Sequence, residues 1–184
     1  MTSAYLFSGD RIRELLGEVA EQLGPEAPQA TVIVVGGSLL AWRGLRASTQ
    51  DVDSSRRISD EVRLAVRVVA ERHQLAADWL NDNSAAWHPR TLDAKECEIL
   101  VEYPQLKVLG APLWSIFLMK LNRSEPQDVV DMIMLWPFVA ERFPTAQIAT
   151  EAFYAAFPLE SPDEFLGAQV IDIARRAGVH LPPA

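Results

Sequence analysis

Residues 31–57, TVIVVGGSLLAWRGLRASTQDVDSSRR, constrain the fold more than any other stretch. Val32, Ile33, Val34 and Val35 are four consecutive β-branched residues, which predicts a buried strand. Gly36 and Gly37 then permit a tight turn and close approach of another group to the backbone. Ser38 stands where it would cap a short helix over Leu39, Leu40, Ala41 and Trp42, which Gly44 ends. Free N–H groups at a helix start, with a hydroxyl beside them, make a phosphate cradle. Further on, Asp51 and Asp53 are separated by Val52. On a strand, alternation puts both carboxylates on one face. Two hard oxygen ligands on one face suit Mg2+, which takes its other ligands from water and substrate phosphates. The plainer reading of the same residues is a strand–turn–helix with two solvated acids.

Around this stretch the chain reads as mixed and then helical. Residues 9–24 predict a helix with Ile12, Leu15, Leu16, Val19 and Leu23 on one face, capped by Ser8 or Asp10 and stopped by Gly24-Pro25. Residues 59–74 predict a second, with Val62, Leu64, Ala65, Val68 and Val69 on its apolar side and the i,i+4 pair Arg63 and Arg67 on another. Trp79 to Asn83 reads as a turn, and His88 as an ordinary exposed loop histidine. Strands are expected over 96–103 and 106–109. From Pro112 on, all is helical. Leu113 to Asn122 is apolar almost all round, hence buried, with Lys120 its lone charge. Ser124 is expected to cap the next helix, with Pro126 in its first turn and Gln127 closing a capping box. Thr145 to Phe157 predicts another helix. Ser161 to Glu164 is expected to open the last one, and the Pro182-Pro183 tail to fray. The expected class is α+β: residues 1–111 form a small mixed β-sheet with flanking helices, and residues 112–184 a helical bundle packed on it.

Composition narrows the function classes. The 184 residues suffice for one large domain or two small ones, and 49% hydrophobic content supports a real core. No apolar run approaches the roughly 18 residues of a membrane span. The first ten residues lack the basic region and apolar core of a signal peptide. The single cysteine, Cys97, excludes an internal disulfide and a cysteine metal cluster. A cytoplasmic protein is the simplest account. The net charge of −8 argues against broad non-specific nucleic-acid binding. It leaves room for a local basic patch, since six arginines fall between Arg43 and Arg67.

Gly36-Gly37-Ser38 followed by Asp51-x-Asp53 resembles the signature of the DNA polymerase β-like nucleotidyltransferase superfamily. The fuller wording adds Leu39-Leu40, Gly44-Leu45-Arg46 and Ser48-Thr49. It is similar to small prokaryotic nucleotidyltransferases of the AbiEii and MenT toxin type. Met119-Lys120-Leu121 with Arg123, Asp128 and Asp131 resembles the second motif of the same group, in the same order. The resemblance implies a nucleotidyltransferase core with Mg2+ on Asp51 and Asp53. The triphosphate of an NTP would be held by Gly36, Gly37, Ser38, Thr49 and Lys120. Lys120 and Asp131 would join Asp51 and Asp53 in catalysis, with Arg46, Arg63, Arg67 and Asp128 as further substrate contacts. A third acid would be Glu98, Glu102 or neither.

The acceptor implied is the 3′ end of tRNA, so that translation is blocked, and a toxin of this kind has a cognate antitoxin protein as partner. The alternatives are AMP transfer to a small molecule or a protein, which the net charge favours, or a non-catalytic binding protein that keeps the fold. RNA as acceptor requires Arg43, Arg46, Arg56, Arg57, Arg63 and Arg67 to converge beside the acids. The chain departs from its relatives at Ser54-Ser55, where they place apolar residues, so the strand is expected to end early or lie at an edge.

Overall fold

The computed structural model describes residues 6–182; the first five residues, part of the stretch compared with a signal peptide, and Pro183 of the tail lie outside them. Two compact units form. One takes the residues through His88 together with Ala94–Ala111, the other Pro89–Asp93 and the residues from Pro112 on. The short piece Pro89–Asp93 belongs with the helices because the Arg90 N–H donates to the Ala156 carbonyl at 2.9 Å and Leu92 is buried.

The first unit is built on a five-stranded mixed sheet. Its strands are β1 (Ala30–Val35), β2 (Val52–Ser54), β3 (Leu80–Asn81), β4 (Glu98–Glu102) and β5 (Leu106–Gly110), in the order β3-β2-β1-β5-β4. β1 runs parallel to β5 and antiparallel to β2; β2 is parallel to β3, and β4 antiparallel to β5. Val32, Ile33, Val34 and Val35 are all buried, as befits a central strand covered on both faces. Asp53 of β2 therefore lies one strand from the middle of the sheet.

Among the described residues, three α-helices belong to this unit: α1 (Gly9–Gln22), α2 (Gly36–Trp42) and α3 (Asp60–His73), with α1 packed on both others. Ser8 Oγ caps α1 by accepting from the Arg11 N–H, and Ser59 Oγ caps α3 by accepting from Val62. The buried stripe of α3 is Val62, Ala65, Val66, Val69 and Ala70. Leu64 and Val68 fall off it, and Leu64 is exposed. Steps of three and four from Val62 reach Ala65, Val66 and Val69, whereas Leu64 sits about 200° round the helix. Leu80 and Asn81 form β3 rather than a turn. Trp79 is buried, its indole N–H donates to the Val66 carbonyl, and the Val52 N–H donates to the Trp79 carbonyl at 2.7 Å.

The second unit holds α4 (Leu113–Arg123), α5 (Pro126–Val139), α6 (Ala146–Ala156) and α7 (Leu166–Arg176). Phe117 stacks edge-on against Trp136 at 5.5 Å and tilts against Phe143 at 5.6 Å, forming its aromatic centre. Ser124 does not cap α5. It ends α4 in the left-handed conformation (φ 51°), and Glu125 is the residue that precedes α5. Asp128, not Gln127, reaches back to the Glu125 N–H. The last helix begins at Leu166 without the expected box, because the Ser161–Glu164 backbone is held elsewhere: the Asp163 N–H donates to Tyr154 Oη at 2.6 Å. Among the described residues no helix is long and apolar enough to cross a membrane.

Candidate active site

The turn after β1 places the first set of groups. α2 starts at Gly36, whose φ of +62° lies in the left-handed region that glycine enters without strain. Val35 therefore occupies the cap position and Ser38 falls inside the first turn, correcting the capping role expected for it. The buried Ser38 hydroxyl donates to the Val35 carbonyl at 2.7 Å and lies 3.4 Å from the Asp53 N–H, which it accepts weakly. It is thus committed to tying the turn to β2.

Register then brings the acid to the turn. Val35 pairs with Asp53, and Asp53 Oδ2 lies 3.5 Å from where a Cβ on Gly36 would stand. At Gly37 the same position is 3.0 Å from Thr49 Oγ1 and 3.1 Å from Arg46 Nη1. No side chain fits there without moving one of these groups. The loop that carries them is fixed at both ends. The Leu45 and Arg46 N–H groups both donate to the Leu40 carbonyl, and Thr49 exchanges two backbone hydrogen bonds with Phe7.

Val52 and Ser54 are fully buried, while Asp51 is exposed and Asp53 half-buried, so the alternation predicted for the pair is present. Asp51 lies one residue before β2, and β2 ends early, at Ser54. Ser54 Oγ closes it by donating to the Arg56 carbonyl and accepting from the Ile33 and Arg56 N–H groups. Two carboxylates flanking a buried residue are a donor set that fits Mg2+. Among the described residues no group of three or more His, Cys, Asp or Glu side chains is placed to hold a metal ion. A cation held here would take two protein ligands and leave its other positions to water and phosphate. Asn81, which the sequence pattern hid in a supposed turn, is the register partner of Asp53 on β3; its Oδ1 accepts from the Asn83 N–H at 2.9 Å.

The six arginines do not gather. Arg46 lies against Gly37, as above. Arg43 is drawn to Glu98 on β4 at 2.6 Å, and Arg63 to Asp82, just after β3, at 2.7 Å, so these two serve opposite edges of the sheet. Burial works against the Asp82 charge, but the Arg63 hydrogen bond and the Ile58 N–H outweigh it and hold the carboxyl below its ordinary value. Arg56, Arg57 and Arg67 are exposed. Glu98 is occupied by Arg43, and Glu102 by Lys107 and Gln29. Both stand on β4, which β5 and β1 separate from β2, so neither is placed as a third acid. His88 is not fully exposed: it is half-buried, with Nδ1 enclosed and lacking a hydrogen-bond partner.

The second motif comes together within the helical unit. Lys120 Nζ, buried on α4, donates to Asp128 Oδ1 at 3.0 Å and to Asp131 Oδ2 at 2.6 Å, both on α5. Arg123 grips Asp128 through Nε at 2.6 Å and Nη2 at 2.7 Å, and Gln127 Nε2 donates to Asp131 Oδ1 at 3.1 Å. Burial raises the cost of charge on Asp128, yet Arg123 and Lys120 more than offset it and keep its carboxyl below the ordinary value. Two cations and two anions make the group neutral and closely satisfied. Compared with known proteins, the chain matches no family model, no curated protein and no solved structure.

Proposed function

We propose that the protein is a Mg2+-dependent nucleotidyltransferase using an NTP. The observation that carries this reading is the juxtaposition, at two adjoining glycines, of the Asp53 carboxylate with the Arg46 guanidinium and the Thr49 hydroxyl. Acids that can share a divalent cation thus stand beside groups that can bind phosphate oxygens. In the reaction an acceptor hydroxyl forms a new bond to the α-phosphorus as the bond to pyrophosphate breaks. A bound Mg2+ would neutralise charge on the attacking and leaving oxygens. Asp51 and Asp53 would hold the cation, with the exposed Asp51 also open to take the acceptor's proton. Thr49 and Arg46 would hold the phosphates, and Ser38 would act by fixing Asp53 rather than by touching the nucleotide. Lys120 and Asp131 remain proposed contributors, each already engaged in its own ion pairs.

With the 3′ end of tRNA as acceptor, the chain would be a translation-blocking toxin with a cognate antitoxin. A second reading, transfer of AMP to a small molecule or a protein, is favoured by the commitment of Arg43 and Arg63 to opposite sheet edges and by the charge of −8. The test incubates the purified chain with Mg2+, each α-phosphate-labelled NTP in turn, and total tRNA, alongside Asp53→Asn. Label on tRNA with the wild type alone supports the toxin reading. Label on protein or small molecules alone supports the second. No Asp53-dependent label and no NTP binding overturns the enzyme reading and leaves a binding protein.

A further inference from the structure

We infer that Arg46 is the internal counter-charge of the acid pair, and that it exchanges from the acid side of the turn to the phosphates when cation and nucleotide enter. The inference rests on the nucleotidyl-transfer reading and adds a coupling between the two ligands. Arg46 and Asp53 are both half-buried, and their charged atoms stand over adjoining glycines, Nη1 at Gly37 and Oδ2 at Gly36. A half-buried carboxylate is stabilised by a neighbouring cation. Arg43 and Arg63 are engaged by Glu98 and Asp82, so Arg46 is the arginine against this turn.

The backbone beneath Arg46 is anchored on the Leu40 carbonyl, which leaves the long side chain as the part that moves. A planar guanidinium binds carboxylate and phosphate with the same fork of donors, so moving it exchanges one good partner for another. A divalent cation arriving alone must compete with Arg46. A cation arriving with a triphosphate does not, because the phosphates take the guanidinium. Metal and nucleotide therefore promote each other's binding, and by linkage to the same degree.

The experiment measures Mn2+ binding by electron paramagnetic resonance, with and without a non-hydrolysable ATP analogue, for the wild type, Arg46→Gln, Arg46→Lys and Asp53→Asn. Thermal midpoints check that each variant folds. Arg46→Gln should bind Mn2+ alone about five-fold tighter or more, and should lose the synergy with the analogue. Arg46→Lys, which keeps the charge, should stay close to the wild type for Mn2+ alone. Arg46→Gln binding Mn2+ no tighter than the wild type, while Asp53→Asn abolishes binding, overturns the counter-charge role and leaves the enzyme reading intact. Mn2+ binding that is absent from the wild type even with the analogue and from Arg46→Gln, or that is indifferent to Asp53→Asn, overturns both.

Discussion

Replacing Lys120 by methionine should destabilise the helical unit by about 3–5 kcal/mol, the usual cost of removing one partner from a buried ion pair. Methionine keeps the unbranched stem and its packing, so the loss is that of the ammonium. The structure says where the damage falls. Asp128 retains the two-pronged Arg123 contact and the Glu125 N–H. Asp131, 2% exposed, loses its 2.6 Å cation, while the Gln127 amide stays in place. Adding Asp131→Asn removes the buried charge that faced the ammonium and should recover most of the loss, to within about 1–2 kcal/mol of the wild type. Urea unfolding followed by near-ultraviolet circular dichroism reads the buried Trp136–Phe117 pair directly. A single variant that costs less than about 1 kcal/mol, or a double variant no more stable than the single, would refute the argument. The double variant also separates stability from transfer: if Lys120 or Asp131 serves the reaction itself, transfer stays lost where stability returns.

Other expectations follow from the same geometry. Asp128 has a folded pKa below its ordinary 3.8, so its contribution is complete above about pH 4 and lost as pH falls through the depressed value. Acid titration of the near-ultraviolet signal should be less steep in Asp128→Asn. Gly37→Ala puts a methyl 3.0 Å from Thr49 Oγ1 and 3.1 Å from Arg46 Nη1; calorimetry should show a loss of about 1–3 kcal/mol, with weakened ATP-analogue binding. Arg63→Gln breaks a partly exposed tie to Asp82 and should cost at most about 1 kcal/mol in urea, leaving Mn2+ binding unchanged.

Local patterns account for what could be read without coordinates. Four β-branched residues made β1 central, and Ile12, Leu15, Leu16 and Val19 announced the buried face of α1. The spacing of Asp51 and Asp53 around a buried Val52 survived intact, because a period of two is a property of extended backbone itself. The misreadings sit at ends and at short elements. Ser38 and Ser124 carry good capping side chains, but Gly36 entered α2 before the one and α4 ran on to the other. Leu64 is as apolar as Val66, and only the rotation of α3 against its neighbours decides between them.

The sequence by itself determined the strand, the glycine turn and the paired acids, since each depends on residues a few positions apart. Tertiary structure decided that Trp79 is buried, and so recruits a two-residue strand next to Asp53. It also decided that Arg43 and Arg63 belong to opposite edges while Arg46 lies on the turn, and that Lys120 meets both Asp128 and Asp131. The physical reason is the same in each case. A long charged side chain has many partners of nearly equal worth, and strand register and helix packing select the one within reach.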